Sequence, residues 1–461
     1  MVLLRWTLPR RWVGPLLLVS SYVFYLSWGL RYGFLIGGMT GLAWLAGLTL
    51  ERWQSRRRAA LTFAIGCLLS ILAYFKYSAF ALSQGAALLR LVGIGAHDPH
   101  LRIVLPLGIS FFTFELVSYV VDVYRGEPAE RSIVRFALYV AYYPHLVAGP
   151  IVRAHELLPQ LHAERRFDGD LFAEGVFIAL VGYVRKMVIA DNLAPWADEV
   201  FAHPQHYSTF GVWMGAVAYT GQIFCDFAGY TDIARGASMM LGYPLPENFD
   251  YPYLSTSITE FWRRWHMTLS RWLRDYLYIA LGGNRHGRIM QYRNLFLTML
   301  LGGLWHGANW TFVAWGALHG VLLALHKAWD TLLRRTSWAE RARAYLPYRA
   351  VAGGSTLLAV MVAWVFFRAS SFSQAGQVLH RMATRVPGLG ELGVAARPAR
   401  LTTAIAFTGV LVVVHFLGYY RVAITSHRLL PPIARGLVWA GLIATCYLLA
   451  ESRAAFIYFQ F

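Results

Sequence analysis

Long apolar segments recur along this chain, and their lengths restrict the folds that it can adopt. Several reach the roughly 17 to 25 apolar residues that a helix needs to cross a bilayer. Only 14% of the 461 residues are charged and 57% are hydrophobic, whereas soluble domains carry about 25% charged residues. The segments are continuously apolar rather than alternating, which argues against a β-barrel. We therefore expect an all-α polytopic membrane protein.

About eleven of these segments are expected to be spanning helices. They lie near residues 13–29, 33–50, 59–80, 102–123, 136–152, 171–191, 209–234, 294–326, 350–367, 401–420 and 436–450. Basic residues gather in the short links, so the net charge of +18 indicates membrane orientation, with a cytoplasmic N-terminus, rather than nucleic-acid binding. Within the 136–152 segment, the run 142–150 has two prolines and a glycine and predicts a segment that dips into the membrane and returns. The polar region 368–400 is expected to be an outer loop.

The segment 257–293 differs from the spans because it alternates tryptophan with arginine. On a helix of about 100° per residue, one face carries Trp262, Trp265, Leu269, Trp272 and Tyr276. The opposite face carries Glu260, Arg264, Arg271 and Asp275, with Arg263 and Arg274 beside them. This pattern predicts an interfacial amphipathic helix. His266 falls at the edge of the aromatic face, where it is either a packed, hydrogen-bonded histidine or a functional one.

His306 lies in the middle of a long apolar stretch, between Gly302, Gly303 and Gly307. A titratable side chain at that depth is costly and is therefore a candidate functional residue. Two structures fit the glycines. One is a close helix crossing with a structural histidine; the other is a broken helix that lines a polar cavity. The stretch from Asn294 to Leu325 would measure about 48 Å as one helix, longer than the roughly 30 Å bilayer core, which favours a break.

Four further acids lie in apolar segments: Glu115, Asp122, Asp226 and Asp232. Each is expected to face a cavity or to pair with an arginine, and a structural pair is more common than a catalytic acid. His145, His319 and His326 are expected to be structural or interfacial. The scattered Cys67, Cys225 and Cys446 are expected to be buried thiols, not a disulfide framework or a metal cluster.

An ordered series of motifs resembles the membrane-bound O-acyltransferase superfamily, in the branch of the alginate O-acetyltransferase membrane subunit. The segments are Gly-Ile-Ser-Phe-Phe-Thr-Phe (108–114), Val-Asp-Val-Tyr-Arg-Gly (121–126), Val-Ala-Gly-Pro-Ile-Val-Arg (147–153), Asp-Phe-Ala-Gly-Tyr-Thr-Asp-Ile-Ala (226–234), Pro-Glu-Asn-Phe-Asp-Tyr-Pro-Tyr (246–253), Glu-Phe-Trp-Arg-Arg-Trp-His (260–266), Trp-Leu-Arg-Asp-Tyr-Leu-Tyr-Ile (272–279), Gly-Gly-Asn-Arg (282–285), Trp-His-Gly-Ala-Asn-Trp (305–310) and Phe-Ile-Tyr-Phe (456–459). Family members usually begin with one more apolar helix than this chain does.

The resemblance implies one integral-membrane domain over residues 1–461, with the core motifs in 102–326, C-terminal helices in 350–461 and a central tunnel. His306 matches the catalytic histidine of the family, and His266 matches the second active-site position. We expect His306 to act as the general base, and His266 to position or polarise the thioester or to orient the acceptor. The expected substrate-binding residues are Trp262, Arg263, Arg264, Trp265, Arg274, Asp275, Trp305, Asn309 and Trp310.

The resemblance also implies the substrates and partners. Acetyl-CoA is the expected acyl donor, with no bound cofactor and no metal. The expected acceptor is an extracytoplasmic polysaccharide such as an alginate-like exopolysaccharide, cellulose or peptidoglycan, reached directly or through a periplasmic partner that resembles SGNH hydrolases. The expected location is a bacterial inner membrane. D-alanyl transfer to teichoic acid, transport without catalysis and a scaffold that only recruits a partner remain as alternatives.

Overall fold

The computed structural model describes residues 1–95, 103–333, 341, 343, 345–388, 398–420 and 429–450. The regular elements in these ranges are helices, which confirms the all-α prediction. The helices are α1 Val2–Thr7, α2 Arg10–Leu26, α3 Leu30–Arg52, α4 Arg57–Leu91, α5 Ile109–Arg125, α6 Ile133–Ala141, α7 Tyr143–Leu146, α8 Ala154–His162, α9 Gly169–Tyr183, α10 Asp191–Ala202, α11 Thr209–Met240, α12 Ile258–Arg264, α13 Met267–Trp272, α14 Gly287–His306, α15 Trp310–Leu333, α16 Leu346–Arg368, α17 Phe372–Ala383, α18 Pro398–Tyr419 and α19 Pro432–Leu449.

Five helical segments in the described part of the chain are long and apolar enough to cross a membrane. They are Leu30–Arg52, Gln54–Leu91, Leu346–Arg368, Arg400–Tyr419 and Pro432–Leu449. Their large apolar side chains are often exposed: Phe34 and Ile433 are each 82% exposed and Tyr447 is 87% exposed. Surfaces of this kind are costly in water and favourable in lipid. The count of about eleven spans stays an expectation.

The chain divides into two compact units. Unit 1 consists of Met1–Val176 and Ala234–Pro246, and unit 2 consists of Phe177–Ile233 and Glu247–Phe461. Both candidate catalytic histidines, His266 and His306, fall in unit 2.

In unit 1 the predicted interruption of the 136–152 segment is present. Helix α6 has nine residues and ends before Tyr142, and the one-turn α7 follows with a proline in its first turn. Nine residues of helix measure about 13 Å, too short to cross a bilayer core of roughly 30 Å. The buried Glu115 supports this irregular segment, since its Oε1 lies 3.1 Å from Nδ1 of His145 and also accepts the backbone N–H of Val152 at 3.1 Å.

A second carboxylate of unit 1, Glu130, lies in the link between α5 and α6. Burial alone would raise the pKa of Glu130. Hydrogen bonds from the backbone of Ser132 and the ring of His162, together with the charge of Arg135, outweigh burial and lower the pKa below its ordinary value. The charged form of Glu130 therefore stabilises the fold.

Unit 2 is built around a core of aromatic side chains. Trp196, Trp265, Trp315 and Trp364 are almost completely buried in it. Rings of this size contribute most of the apolar area that a core can bury, and their edge-to-face contacts add further stabilisation. The core therefore surrounds the candidate site with bulky aromatic side chains.

Two expectations need correction. The region 368–400 is not simply a loop, because it contains α17, whose N-terminus is capped by Ser371 and whose apolar face buries Ala375, Val378 and Met382. Of the three cysteines only Cys225 is buried, while Cys67 and Cys446 are partly exposed; all three are free thiols. Composition alone did not reveal these differences, because burial depends on which helices pack together. The motif at 456–459 lies outside the described residues.

Candidate active site

His306 is the last residue of α14, at a break between two helices. Gly307, the next residue, is fully extended (φ −166°, ψ 156°), and α15 begins only at Trp310. Asn309 caps the new helix, since its Oδ1 accepts the backbone N–H of Thr311 at 3.1 Å. The predicted break at the glycines is confirmed.

The close helix crossing that the glycines also predicted is present as well. Helices α14 and α15 form an antiparallel hairpin in which Gly303 faces Gly316. A Cβ added to Gly303 would lie 3.0 Å from both the Cα and the N of Gly316, well inside the 3.5–4.0 Å at which carbon atoms pack. Because glycine has no Cβ, the two helices can approach closely at this point. The close approach sets the position of the end of the hairpin, where His306 lies.

Aromatic rings surround His306. Its ring centroid lies 5.0 Å from that of Trp305, 5.0 Å from that of Trp315 and 5.1 Å from that of Phe367, all in edge-to-face geometry. The residue is only 6% exposed. An imidazole in such apolar surroundings has little access to water, and charges that develop beside it interact strongly.

His266 also lies at a break, which corrects the prediction of one continuous amphipathic helix. Helix α12 ends at Arg264, Trp265 is extended, and His266 adopts the left-handed conformation (φ 40°) before α13 begins. The non-helical segment 248–250 supplies backbone partners at this point. The N–H of Asp250 donates to the carbonyl of Arg264, and the N–H of Met267 donates to that of Asn248, both at 2.9 Å.

The break turns the His266 side chain into the core of unit 2, where it is completely buried. Its ring packs edge-on against Phe227, with centroids 4.7 Å apart, and lies 6.4 Å from the ring of Trp305. Trp305 is also a ring neighbour of His306. The fold therefore brings the two predicted catalytic histidines next to one shared tryptophan, although 40 residues separate them in sequence.

Two further histidines of unit 2, His319 and His326, have structural partners. The Nδ1 atom of His319 accepts the indole N–H of Trp262 at 3.2 Å, and its ring packs 4.7 Å from that of Trp315. The Nδ1 atom of His326 lies 2.8 Å from the hydroxyl of Thr259. These contacts agree with the structural roles predicted for both.

The predicted substrate-binding tryptophans separate into two groups. Trp262 and Trp265 are buried in the core of unit 2, and Trp305 lies beside both imidazoles, whereas Trp310 is half exposed. Asn309, the helix cap, donates its side-chain amide to the carbonyl of Ser370 at 2.9 Å. Of the four tryptophans, Trp310 is open to the surroundings, Trp305 lies beside the two imidazoles and Trp262 lines the cavity described below.

The predicted substrate-binding charges lie towards the surface. Arg264 pairs with Glu260 and Asp250, at 3.1 Å in both cases. Arg274 and Asp275 form a 2.6 Å pair in which the arginine is exposed. Arg263 is also exposed. The ion pairs of Arg264 and Arg274 are therefore with carboxylates of unit 2 and not with its two buried histidines.

A cavity of about 290 Å³ lies in unit 2, between the α12–α13 region and the α14–α15 hairpin. Its wall includes Trp262, Thr298 and Met299, and the exposed cations Arg274 and Lys327 also line it. Met299 is two turns before His306 on α14, about 10 Å along the helix. Neither His306 nor His266 lines this cavity, so a tunnel that reaches both stays a prediction.

The intramembrane acids of unit 2 are paired, as expected. Asp232 pairs with Arg185, an arginine as predicted. Asp226 pairs instead with Lys186, at 2.6 Å, and the same ammonium lies 2.7 Å from Asp191. The two cations lie on a π-helical turn, Val184–Ala190, a widened turn that is frequent at functional sites. Sequence reasoning missed Lys186 and Asp191, because the acid that Lys186 also binds, Asp226, is 40 residues away in sequence.

Metal ligation finds no support in the part of the chain that the structure describes. Within it, no group of three or more histidine, cysteine, aspartate or glutamate side chains is arranged to hold a metal ion.

Comparison with known proteins identifies the family of this chain. The model of the membrane-bound O-acyltransferase family matches residues 49–368. A probable alginate O-acetylase of Azotobacter vinelandii is 46% identical over 380 residues, which are 81% of this chain and 73% of the relative. A peptidoglycan O-acetyltransferase of Helicobacter pylori is 36% identical over 403 residues, again 81% and 73%. A teichoic acid D-alanyltransferase of Bacillus subtilis is 26% identical over 294 residues, which are 62% and 72%. The chain belongs to the membrane-bound O-acyltransferase family and is an integral-membrane acyltransferase.

Proposed function

We propose that this protein moves an acetyl group from cytoplasmic acetyl-CoA across a bacterial inner membrane for the O-acetylation of an extracytoplasmic polysaccharide. The observation that carries the proposal is the position of His306, buried at a helix break among aromatic rings and sharing Trp305 with His266. An alginate-like polymer, cellulose and peptidoglycan are the candidate acceptors. The acetyl group reaches them directly or through a periplasmic partner that resembles SGNH hydrolases.

His306 serves as the general base in this proposal. A hydroxyl is a poor nucleophile until its proton is removed, and imidazole is suited to that task near neutral pH. The acceptor oxygen attacks the thioester carbonyl carbon, a C–O bond forms and the C–S bond breaks. The proton passes from the hydroxyl to His306 and then to the departing CoA thiolate. The surrounding rings of Trp305, Trp315 and Phe367 keep water, a competing acceptor, away from the thioester.

The exposed arginines and the cavity of unit 2 support a site for the acyl donor. Arg263 and Arg274 are available to the phosphates of CoA, to which arginine binds well. Arg274 and Lys327 also line the cavity, whose wall includes Met299 on α14. A pantetheine arm that enters here would approach the end of α14 that carries His306. Anchoring of the protein at the membrane surface is the alternative role of these arginines.

An acetyl group is favoured over D-alanine by the identities of the relatives. The alginate O-acetylase of Azotobacter vinelandii and the peptidoglycan O-acetyltransferase of Helicobacter pylori are 46% and 36% identical to this chain, against 26% for the D-alanyltransferase. The motifs in 226–310 also resemble the alginate branch. Acetyl transfer is therefore the proposal, and D-alanyl transfer is the second candidate.

The test uses the purified protein in proteoliposomes with acetyl-CoA labelled in the acetyl group. We expect label to appear in an added acceptor polysaccharide, or in a partner that acts as the acceptor, on the opposite side of the membrane. D-alanine that is activated as the thioester of a carrier protein serves as the competing donor. Transfer of D-alanine but not acetyl would overturn the choice of acyl group. A lack of transfer from both donors, together with passage of polysaccharide across the membrane, would support a transporter instead.

A further inference from the structure

Asn248 is an almost completely buried residue in the non-helical segment 248–250, before α12. Its side-chain Oδ1 faces three groups: Nδ1 of His266 at 3.1 Å, the backbone N–H of Thr268 at 3.2 Å and the hydroxyl of Thr268 at 2.9 Å. Its backbone carbonyl accepts the N–H of Met267 at 2.9 Å. One residue therefore holds the backbone break at His266 and also contacts the imidazole.

These contacts determine which nitrogen of His266 carries the hydrogen. The backbone N–H of Thr268 only donates, so the Asn248 atom that faces it has to be the carbonyl oxygen and not the amide nitrogen. A carbonyl oxygen only accepts, so Nδ1 of His266 has to be the N–H nitrogen. Complete burial lowers the pKa of His266, which lies in the α12–α13 region and not in a spanning helix, to about 3. The ring is therefore neutral, and Nε2 carries a lone pair.

The Nε2 atom of His266 is itself buried and makes no hydrogen bond with the residues that the structure describes. The rings of Phe227, Phe249 and Trp305 are neighbours of the imidazole ring. A buried acceptor without a donor destabilises the fold, and such groups in native proteins require an explanation. A hydrogen-bond donor of the substrate would supply the missing partner.

We infer that Asn248 is a positioning residue that fixes His266 in the Nδ1–H tautomer, so that Nε2 accepts a hydrogen bond from an O–H or N–H group of the substrate. The inference rests on the proposed function, because it takes His266 to be an active-site residue. It separates the two roles expected for His266. Polarising a thioester carbonyl needs a donor at Nε2, which this tautomer lacks, whereas holding a hydroxyl or an amide N–H needs the acceptor that it provides.

The test compares substitutions of Asn248 in the full-length protein in proteoliposomes. Asn248→Leu keeps the shape but removes the oxygen, and we expect kcat/KM to fall about 10- to 100-fold, as for a misplaced reacting group. Asn248→Asp keeps an acceptor for all three donors, and we expect activity within about tenfold of the wild type. Thr268→Val is the matched control: it removes one hydrogen bond to the same oxygen but not the contact with His266. Its activity should stay within about threefold of the wild type.

A double-mutant cycle with His266→Gln distinguishes positioning from a general structural role. If Asn248 acts through His266, Asn248→Leu causes no further loss of kcat/KM in the His266→Gln background. An additive loss in the double variant would overturn the inference but not the proposed function. Full activity of Asn248→Leu together with a loss of activity in His266→Gln would have the same meaning. Full activity of His266→Gln overturns the proposed role of His266 and the inference with it. The KM values identify the group held, since a rise for acetyl-CoA indicates an amide N–H of the donor and a rise for the acceptor indicates a hydroxyl.

Discussion

Gly303 provides a direct test of how the α14–α15 hairpin positions His306. In Gly303→Ala the new Cβ would lie 3.0 Å from the Cα of Gly316 and closer still to the carbonyl oxygen of Phe312. Carbon atoms pack at 3.5–4.0 Å, so the two helices have to separate by about 0.5–1 Å at this point. Overpacking of this kind costs about 1–3 kcal/mol.

The displacement should affect catalysis more than folding. Trp315, which packs against His306, lies on the helix that has to move. Because a shift of about 1 Å in a reacting group can cost about 10²-fold, we expect acyl transfer by Gly303→Ala to fall about 10- to 100-fold. The assay is acyl transfer from labelled acetyl-CoA in proteoliposomes, with a thermal melt of the same preparation. A fall of several degrees in melting temperature should accompany the loss of activity.

The matched control is Gly354→Ala, the same substitution on α16 of the same unit. A Cβ at Gly354 meets no atom of the described residues within 4 Å, and glycine to alanine in an open helix stabilises by up to about 1 kcal/mol. We expect normal transfer and an equal or higher melting temperature. If Gly303→Ala is as active and as stable as Gly354→Ala, the hairpin does not control the position of His306 and the argument is wrong.

Three further perturbations follow from the charges of the structure. Lys186→Met leaves two buried carboxylates without their shared ammonium, so it should lower the free energy of unfolding by the roughly 3–5 kcal/mol of a broken buried pair, and the melting temperature should fall with it. Lys186→Arg should recover part of the loss, and equal melting temperatures of the Met and Arg variants would count against the pair. Glu130→Gln should melt at a lower temperature than the wild type at neutral pH. Because the pKa of Glu130 is lowered in the folded state, this difference in melting temperature should shrink as the pH falls below about 4.5. A difference that grows in acid would contradict the lowered pKa. Replacing both Arg263 and Arg274 by alanine should raise the KM for acetyl-CoA several-fold at low salt and leave kcat unchanged. This difference in KM should diminish at about 1 M salt. An unchanged KM would indicate that the two arginines only anchor the protein at the membrane surface.

The helices and the break after His306 were predictable because their causes are local. Apolar runs of spanning length specify helices in a membrane, and the glycines around His306 mark both the close crossing and the interruption. The break at His266 was not predictable in the same way. Its sequence reads as a continuous amphipathic helix, and the interruption depends on backbone partners from Asn248 and Asp250, which are distant along the chain.

The pairing of buried groups showed the same limit. The acids Glu115 and Asp226 were recognised as needing partners, yet their partners, His145 and Lys186, come from other helices and follow only from the tertiary fold. Asn248 stood in a recognised motif without an assigned role. Its importance became visible only when the structure placed its Oδ1 against His266, since hydrogen-bond direction cannot be read from residue order.

The most direct test of the proposed catalytic role compares two buried histidines of one helix hairpin. His306→Gln and His319→Gln make the same chemical change, at the end of α14 and within α15. In single turnovers with labelled acetyl-CoA, we expect His306→Gln to lose about 10²- to 10⁴-fold in transfer rate, the usual contribution of a general base. We expect His319→Gln, whose side chain can still accept the N–H of Trp262, to retain most of its activity. Normal transfer by His306→Gln, or an equal loss in both variants, would contradict His306 as the catalytic base.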